Sequence, residues 1–383
     1  MRNVYYWSPC LEKVGTYWST MNSAISLAKY NKNHLSVKIL NVCGEWDSEK
    51  SFLIENDIEL IDLGLNYFKF LPKTGFFKSR FSFLVIFILS IFPLIKLLRN
   101  QKPEYLIIHL ITSLPIILFS IFNFNTKLIL RISGLPKINL LRGFLWRMVS
   151  KKIYKISSPS NDLISQLNKI EIFPQNKLFF LPDPIIRIKK FINDIKLSGK
   201  ENLSISKRKY FISVGRLTKQ KNFKYLIDEF YKFTKNNHDY DLLIFGEGEH
   251  KKKLLNQINE YSLSNRVFLM GYSKNIYSHM KNAEAFILSS LWEDPGFVII
   301  EAGMCNLFII SSNCKNGPRE FLQDGEGGLL FENNKENELT NALKSFIETK
   351  QNHKIKKIIT KKKCLTYTLF RHFKILNKIL IQN

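Results

Sequence analysis

From residue 209 onward, apolar residues fall in short runs separated by longer stretches of helical periodicity. YFISV (210–214), DLLIFG (241–246), RVFLMG (266–271), AFILSS (285–290) and LFIISS (307–312) predict strands. The stretch from Asn222 to about Lys235, EHKKKLLNQINEYSL, NIYSHMKNA (275–283) and the segment after Gly296 predict helices between them. Strands apolar at nearly every position are covered on both faces, and this alternation with short connections predicts a parallel sheet. Right-handed crossovers then align the loops after the strands along one edge, where α/β sheets bind ligands.

The first half alternates less cleanly. LSVKILNV (35–42), YLIIHL (105–110), KLILRI (127–132) and KIYKISS (152–158) predict strands with helical stretches between them. Residues 186–208 lose the pattern and predict a linker. The chain then divides into an N-terminal α/β domain over 1–185 and a C-terminal one over 209–360. An amphipathic pattern over 364–380 predicts a closing helix.

Two apolar stretches bear on membranes. FSFLVIFILSIFPLI (81–95) carries no charge but falls short of the roughly 20 residues that span a bilayer. LIIHLITSLPIILFSIF (106–122) is broken by His109, Thr112, Ser113 and Pro115, so a strand followed by a buried helix accounts for it. LLRGFLWRMVSKKIYK (140–155) sets Leu140, Leu141, Phe144, Leu145, Met148 and Val149 along one helical face. Arg142 and Arg147 lie off that face, and Lys151, Lys152 and Lys155 crowd its end. Such a helix either lies on anionic lipid or packs on the sheet with its charges in water, and the pattern leaves both open.

Composition narrows the partners. With 383 residues the chain has room for two cores, and 45% apolar residues exclude a disordered class. A net charge of +25 favours anionic ligands or surfaces. No helix-turn-helix, zinc-finger or RNP-like run accompanies it, so nucleic acid is not an expected partner. Cys10, Cys43, Cys305, Cys314 and Cys364 are scattered, without CxxC pairs or histidines at ligand spacing. That predicts neither zinc nor disulfides and fits a reducing cytoplasm. The start, MRNVYYWSPC, lacks the apolar run of a signal peptide.

Two loops carry candidate chemistry. In GRLTKQKN, Arg216 and Lys221 flank a helix start, where free backbone N–H groups and the helix dipole favour anions. Two cations so spaced suit a diphosphate. In LWEDPGFVIIEA (291–302), Pro295 and Gly296 break the segment, leaving Glu293 in a loop and Glu301 on the following helix. Amides from Gly296 through Phe297 to Val298 can meet the same phosphates. Glu301 can accept from a ribose diol, and Glu293 from sugar hydroxyls at the far end of the diphosphate. The pair would bracket one nucleotide-sugar.

WEDPGFVIIEA resembles the E-x7-E element of retaining glycosyltransferases of family 4, which have the two-domain GT-B fold. The resemblance runs through SVGRLTKQKNF, LLIFGEGE, VFLMGY, AFILSSLWEDPGFVIIEAGMCN and ISSNCKNGPREFLQDGEGGLLF, in the family's order, and covers about residues 210–332. It implies an α/β fold of two Rossmann-like domains facing each other across a cleft, with a final helix, 364–383, completing the first domain. It implies that Arg216 and Lys221 hold the donor diphosphate, Glu301 the ribose and Glu293 the sugar, with Gly271 and Tyr272 meeting the base. Glu320, in GPREFL, takes a second acidic position near the donor. In the first domain His109 corresponds to a histidine facing the donor sugar, and as a residue it is equally a core histidine. Gly15 and Thr16 stand where a glycine-rich loop meets the acceptor, though a glycine pair is usual there. LPDPI (181–185) replaces an asparagine–glycine stretch.

The expected catalytic set is thus Glu293, His109, Arg216 and Lys221, with no metal or cofactor beyond the donor substrate. The expected acceptor is a polysaccharide or lipid-linked glycan. The expected location is cytoplasmic, peripheral to the inner face of the plasma membrane, with an anionic membrane surface as candidate partner. An epimerase or phosphorylase on the same fold, or a basic membrane- or nucleic-acid-binding protein with a degenerate site, remains open at this point. GEGEHKK (246–252) has lysine where a dinucleotide fingerprint needs its third glycine, and Asp239 and Asp241 precede a strand where a metal clamp would follow one.

Overall fold

The aromatic, half-polar opening Arg2–Trp7, which the sequence pattern passed over, is an interior strand of the first sheet. Residues 2–13, 15–31, 34–72, 76–109, 114–198 and 208–381 are described by the structure, a computed structural model. They form two units, Met1–Ile185 with Thr368–Asn383, and Ile186–Tyr367. Leu110, Thr112 and Ser113, linker positions 199–207 and the last two residues of the expected closing helix lie outside the described residues.

In the first unit, β1 (Arg2–Trp7), β2 (Leu35–Asn41), β3 (Ile58–Asp62), β4 (Tyr105–His109), β5 (Lys127–Arg131), β6 (Ile153–Ser158) and β7 (Leu178–Phe180) form a parallel sheet ordered β3-β2-β1-β4-β5-β6-β7. Side chains alternate across it. Trp7, Ile108 and Leu130 pack with Leu98, Phe119 and Trp146 of the helices on one face. Tyr6, Ile107 and Ile129 pack with Met21 and Ile25 of helix Gly15–Tyr30 and with Leu376 and Leu380 of helix Leu369–Ile381 on the other. The returning helix is fastened by polar contacts too. His372 Nδ1 lies 2.7 Å from the Pro182 carbonyl and Nε2 2.8 Å from Ser23 Oγ. A carbonyl only accepts, so His372 carries its proton on Nδ1.

In the second unit, β8 (Lys209–Val214), β9 (Tyr240–Phe245), β10 (Val267–Gly271), β11 (Ala285–Leu288), β12 (Phe308–Ser312) and β13 (Leu329–Phe331) form a parallel sheet ordered β10-β9-β8-β11-β12-β13. Both sheets reverse their winding once, between β1 and β4 and between β8 and β11. Those are the points where α/β sheets open a crevice beyond the strand ends.

Part of the expected linker is ordered otherwise. Ile188–Ser198 is a helix of the second unit, with Phe191 edge-on to Tyr277 at 5.1 Å. Its lysines mask an amphipathic period in the sequence. Helix Leu140–Ser150 divides the apolar face expected of it between the interior and solvent. It buries Gly143, Trp146 and Val149, and it turns Leu140, Leu141, Phe144 and Met148 outward, 95%, 76%, 62% and 48% exposed. No single helix among the described residues is long and apolar enough to cross a membrane. The pair Lys78–Leu89 and Ile91–Gln101, bent by 45°, reaches that length and composition together.

Burial holds the histidines His109 and His372 neutral, at about 3 against an ordinary 6.5, with Arg131 adding repulsion to both. Between those values the unfolded chain binds protons the folded one refuses, so stability falls as pH drops below 6.5. The loss is on the order of 2 kcal/mol per histidine at pH 5. The urea midpoint is expected to fall between pH 7 and pH 5, and His372→Gln to lower the pH 7 midpoint while flattening that slope.

Candidate functional site

The loops following β8 and β11, at the reversal point of the second sheet, carry Arg216, Lys221 and Glu293. They are laced together. Leu291 N donates to Gln220 O at 2.8 Å, Gln220 Nε2 to Trp292 O at 2.9 Å, and Ser289 Oγ to Lys221 O at 2.8 Å. At their meeting point Lys221 Nζ lies 2.5 Å from Glu293 Oε1, which also accepts from Ser290 Oγ at 2.5 Å. The Glu293 side chain is 4% exposed and that of Lys221 13%.

Glycines make this approach possible. A Cβ on Gly215 would sit 3.1 Å from the Lys221 side chain, and one on Gly296, at φ +88°, 3.2 Å from Glu293. The GxG of GEGE has the same kind of role. A Cβ on Gly246, at φ +140°, would fall 1.9 Å from the Gly215 carbonyl, and one on Gly248 2.5 Å from that of Leu217. Those glycines pack loop on loop, in keeping with the rejected dinucleotide reading.

Glu301 has a separate setting. It lies on helix Phe297–Met304, which opens after Gly296 with Phe297 and Val298 half-buried. Tyr277 Oη donates to Glu301 Oε1 at 3.2 Å. Burial raises the carboxyl from 4.5 to about 7, against the opposing pull of Tyr277 and Lys190. Gly271 closes β10 at φ +71°, its carbonyl accepting from Gly246 N at 2.8 Å, and Tyr272 beyond it is 78% exposed. Glu320 is half-buried on the short helix Pro318–Phe321.

The structure therefore joins Lys221 to Glu293 and leaves Glu301 with a tyrosine. Arg216 is exposed, and among the described residues its side chain has no ion-pair partner. Gly15, Thr16 and His109 belong to the first unit. Gly15 and Thr16 open helix Gly15–Tyr30 at the surface, and His109 ends β4, 2% exposed. Among the described residues, no three or more His, Cys, Asp or Glu gather as a metal ion would need. Ser290 and Tyr277 were not singled out from sequence: neither stands in a chemical motif, and only the fold brings each to a carboxylate.

An anion reaching Lys221 must share its ammonium with Glu293, freeing carboxylate lone pairs for a hydroxyl donor. Without ligand, the pair is a buried charge pair. Lys221→Ala is expected to destabilise by about 3 kcal/mol by stranding Glu293. Adding Glu293→Gln should recover part of that, with a coupling energy of about 1 kcal/mol or more in urea unfolding.

Residues 194–362 match the family model for glycosyl transferases group 1. An uncharacterised glycosyltransferase of Methanocaldococcus jannaschii is 34% identical over 250 residues, 60% of this chain and 61% of that one. The N-acetylgalactosamine-N,N'-diacetylbacillosaminyl-diphospho-undecaprenol 4-alpha-N-acetylgalactosaminyltransferase of Campylobacter jejuni is 31% identical over 231 residues, 59% of this chain and 62% of that one. The chain thus spans about three-fifths of the length of these curated relatives. Among solved structures, Anabaena HepE in complex with UDP and glucose superposes with a TM-score of 0.72 at 14% identity, over 99% of both chains. That likeness is one of fold, and it bears out the expected GT-B class of two Rossmann-like α/β units.

Proposed function

From the match of residues 194–362 to the glycosyl transferases group 1 family model, we propose that the protein moves a sugar from a nucleoside diphosphate donor to an acceptor hydroxyl with retention. The favoured donor is a UDP-sugar. The acceptor is a lipid-linked or polymeric cell-surface glycan, as the name of the Campylobacter jejuni relative suggests by analogy. The observation that carries the reading is the Lys221–Glu293 pair at the reversal point of the second sheet.

In this reading the departing diphosphate gathers charge as the glycosidic bond breaks. Lys221 and Arg216 stabilise it, together with the amides at the start of helix Phe297–Met304, without a metal. Glu293, relieved of part of its ion pair, accepts from sugar hydroxyls, and Glu301 accepts from the ribose. Calorimetric titration with UDP, GDP and ADP is expected to show binding of one nucleotide, UDP by preference. Lys221→Ala and Glu301→Ala should each weaken it about 10- to 100-fold, the worth of a charge-assisted hydrogen bond. A folded wild type that binds none of the three would refute the reading.

We also propose that the protein works at the inner face of a plasma membrane, docked through helix Leu140–Ser150. Its exposed Leu140, Leu141 and Phe144 are flanked by Arg142, Arg147 and Lys151. Around them, Glu104 is the sole acidic residue between Asp62 and Asp162. An apolar face set in so basic a stretch suits anionic lipid. The protein is expected to float with anionic vesicles and stay down with neutral ones, and Leu140→Glu/Phe144→Glu to abolish flotation. Equal flotation with both vesicle types would contradict the charge argument.

A further inference from the structure

His109 and Arg131 end the adjacent strands β4 and β5, Ser157 is the last residue but one of β6 beside them, and the three are register partners. Partners in a parallel sheet lie about 4.8 Å apart with side chains on one face. This row faces helices Gly15–Tyr30 and Leu369–Ile381 and lines a cavity of about 10 Å³ with Ser19, Ser23 and His372. The three side chains are 2%, 3% and 1% exposed.

Their neighbours are already engaged. Arg131 Nη1 donates to the Leu181 carbonyl at 2.6 Å, and its Nη2 is paired with Asp183, which also accepts from Ser19. Ser23 is held between Tyr6 and His372, whose Nδ1 is spent on Pro182. Each member of the row still has a buried polar atom to satisfy: His109 Nδ1, Arg131 Nε and Ser157 Oγ have no hydrogen-bond partner among the described residues. A space of this size holds about one water molecule, and a buried water needs two to four polar partners. Three residues with such unpartnered atoms line this space.

We infer that one internal water molecule sits in this row, accepting from Arg131 Nε–H and donating to His109 Nδ1, with Ser157 Oγ as its third partner. The hydrogen-bond direction follows from charge. The guanidinium can only donate, and its positive field favours the imidazole lone pair, rather than an N–H, on the nitrogen turned toward it. His109 then carries its single proton on Nε2. Arg131, compensated by Asp183, and neutral His372 are the charged and titratable groups around it, so the ring stays uncharged through the physiological range. His109 is thereby a fixed hydrogen-bond donor at Nε2 and has no role as a proton acceptor at Nδ1. The inference stands on the first unit alone and does not depend on the sugar-transfer reading.

Two measurements on the full-length protein test it. A crystal structure that resolves ordered water should show a single water within hydrogen-bond reach of all three atoms; a dry cavity, or an anion in its place, overturns the inference. Long-range ¹⁵N NMR on ¹⁵N-histidine-labelled protein should show His109, assigned by its loss in His109→Gln, as the Nε2–H form without titration from about pH 8 to about pH 5. An Nδ1–H form, or titration in that range, overturns it. Ser157→Val, which replaces the hydroxyl and fills the space, should remove the water and shift the His109 Nδ1 signal; an unchanged signal in the folded variant also counts against it.

Discussion

The ion pair between Lys221 and Glu293 is the constraint on which the edge of the second sheet depends. β8 and β11 run side by side over the pairings of Phe211 with Ala285 and Ile212 with Phe286, and then diverge. Opposite charges taken out of water repay their desolvation only when their remaining lone pairs and protons are satisfied. Ser290 supplies one such bond to the carboxylate. The backbone bond from Leu291 to Gln220 and the Ser289 hydroxyl on the Lys221 carbonyl hold the two loops at the separation the pair needs. Gly215 and Gly296 then follow from sterics, since side chains there would press on the ion pair itself.

The second unit was legible because its strands are apolar along most of their length, a pattern that only a doubly covered sheet sustains. Lys221, Glu293 and Glu301 were legible as residue types in turn-rich loops. Their pairing was not, because Lys221 and Glu293 are 72 positions apart and meet only through the fold. The first unit was harder to read for a physical reason. Arg2–Trp7 carries tyrosines whose polar tips suggest surface, yet Tyr6 is fully buried with its hydroxyl on Ser23, and Tyr5 reaches Gln101. A buried tyrosine with a bonded hydroxyl is a core residue, and the sequence does not reveal the bond. Residues 188–198 were misread for the converse reason, their lysines obscuring the one face that packs through Phe191.

The first unit is also tied around its own exit. Leu181 to Pro184, the last residues before the chain leaves it, are held by Arg131 on the Leu181 carbonyl, His372 on that of Pro182 and Asn22 on that of Pro184 at 2.6 Å. Immediately beyond, Ile186 N donates to Tyr367 O at 3.0 Å, so the outgoing and returning segments run together. The polar residues buried beneath this face are thus shared between binding the crossing and shaping the row at His109.

The returning helix sets an order of assembly. Leu369, Leu376, Ile379 and Leu380 are buried in the first unit, the Tyr105 hydroxyl caps the Leu380 carbonyl, and Asn31 bonds Asn377. On the ribosome these residues emerge only after the whole of Ile186–Tyr367. The second unit, continuous in sequence, has all its elements made before that helix emerges, whereas the first must wait with part of one sheet face uncovered. Of the two units, the one made first is therefore the last to close, and until it does, it leaves Tyr105 and the apolar surface that Leu376 and Leu380 cover open to water.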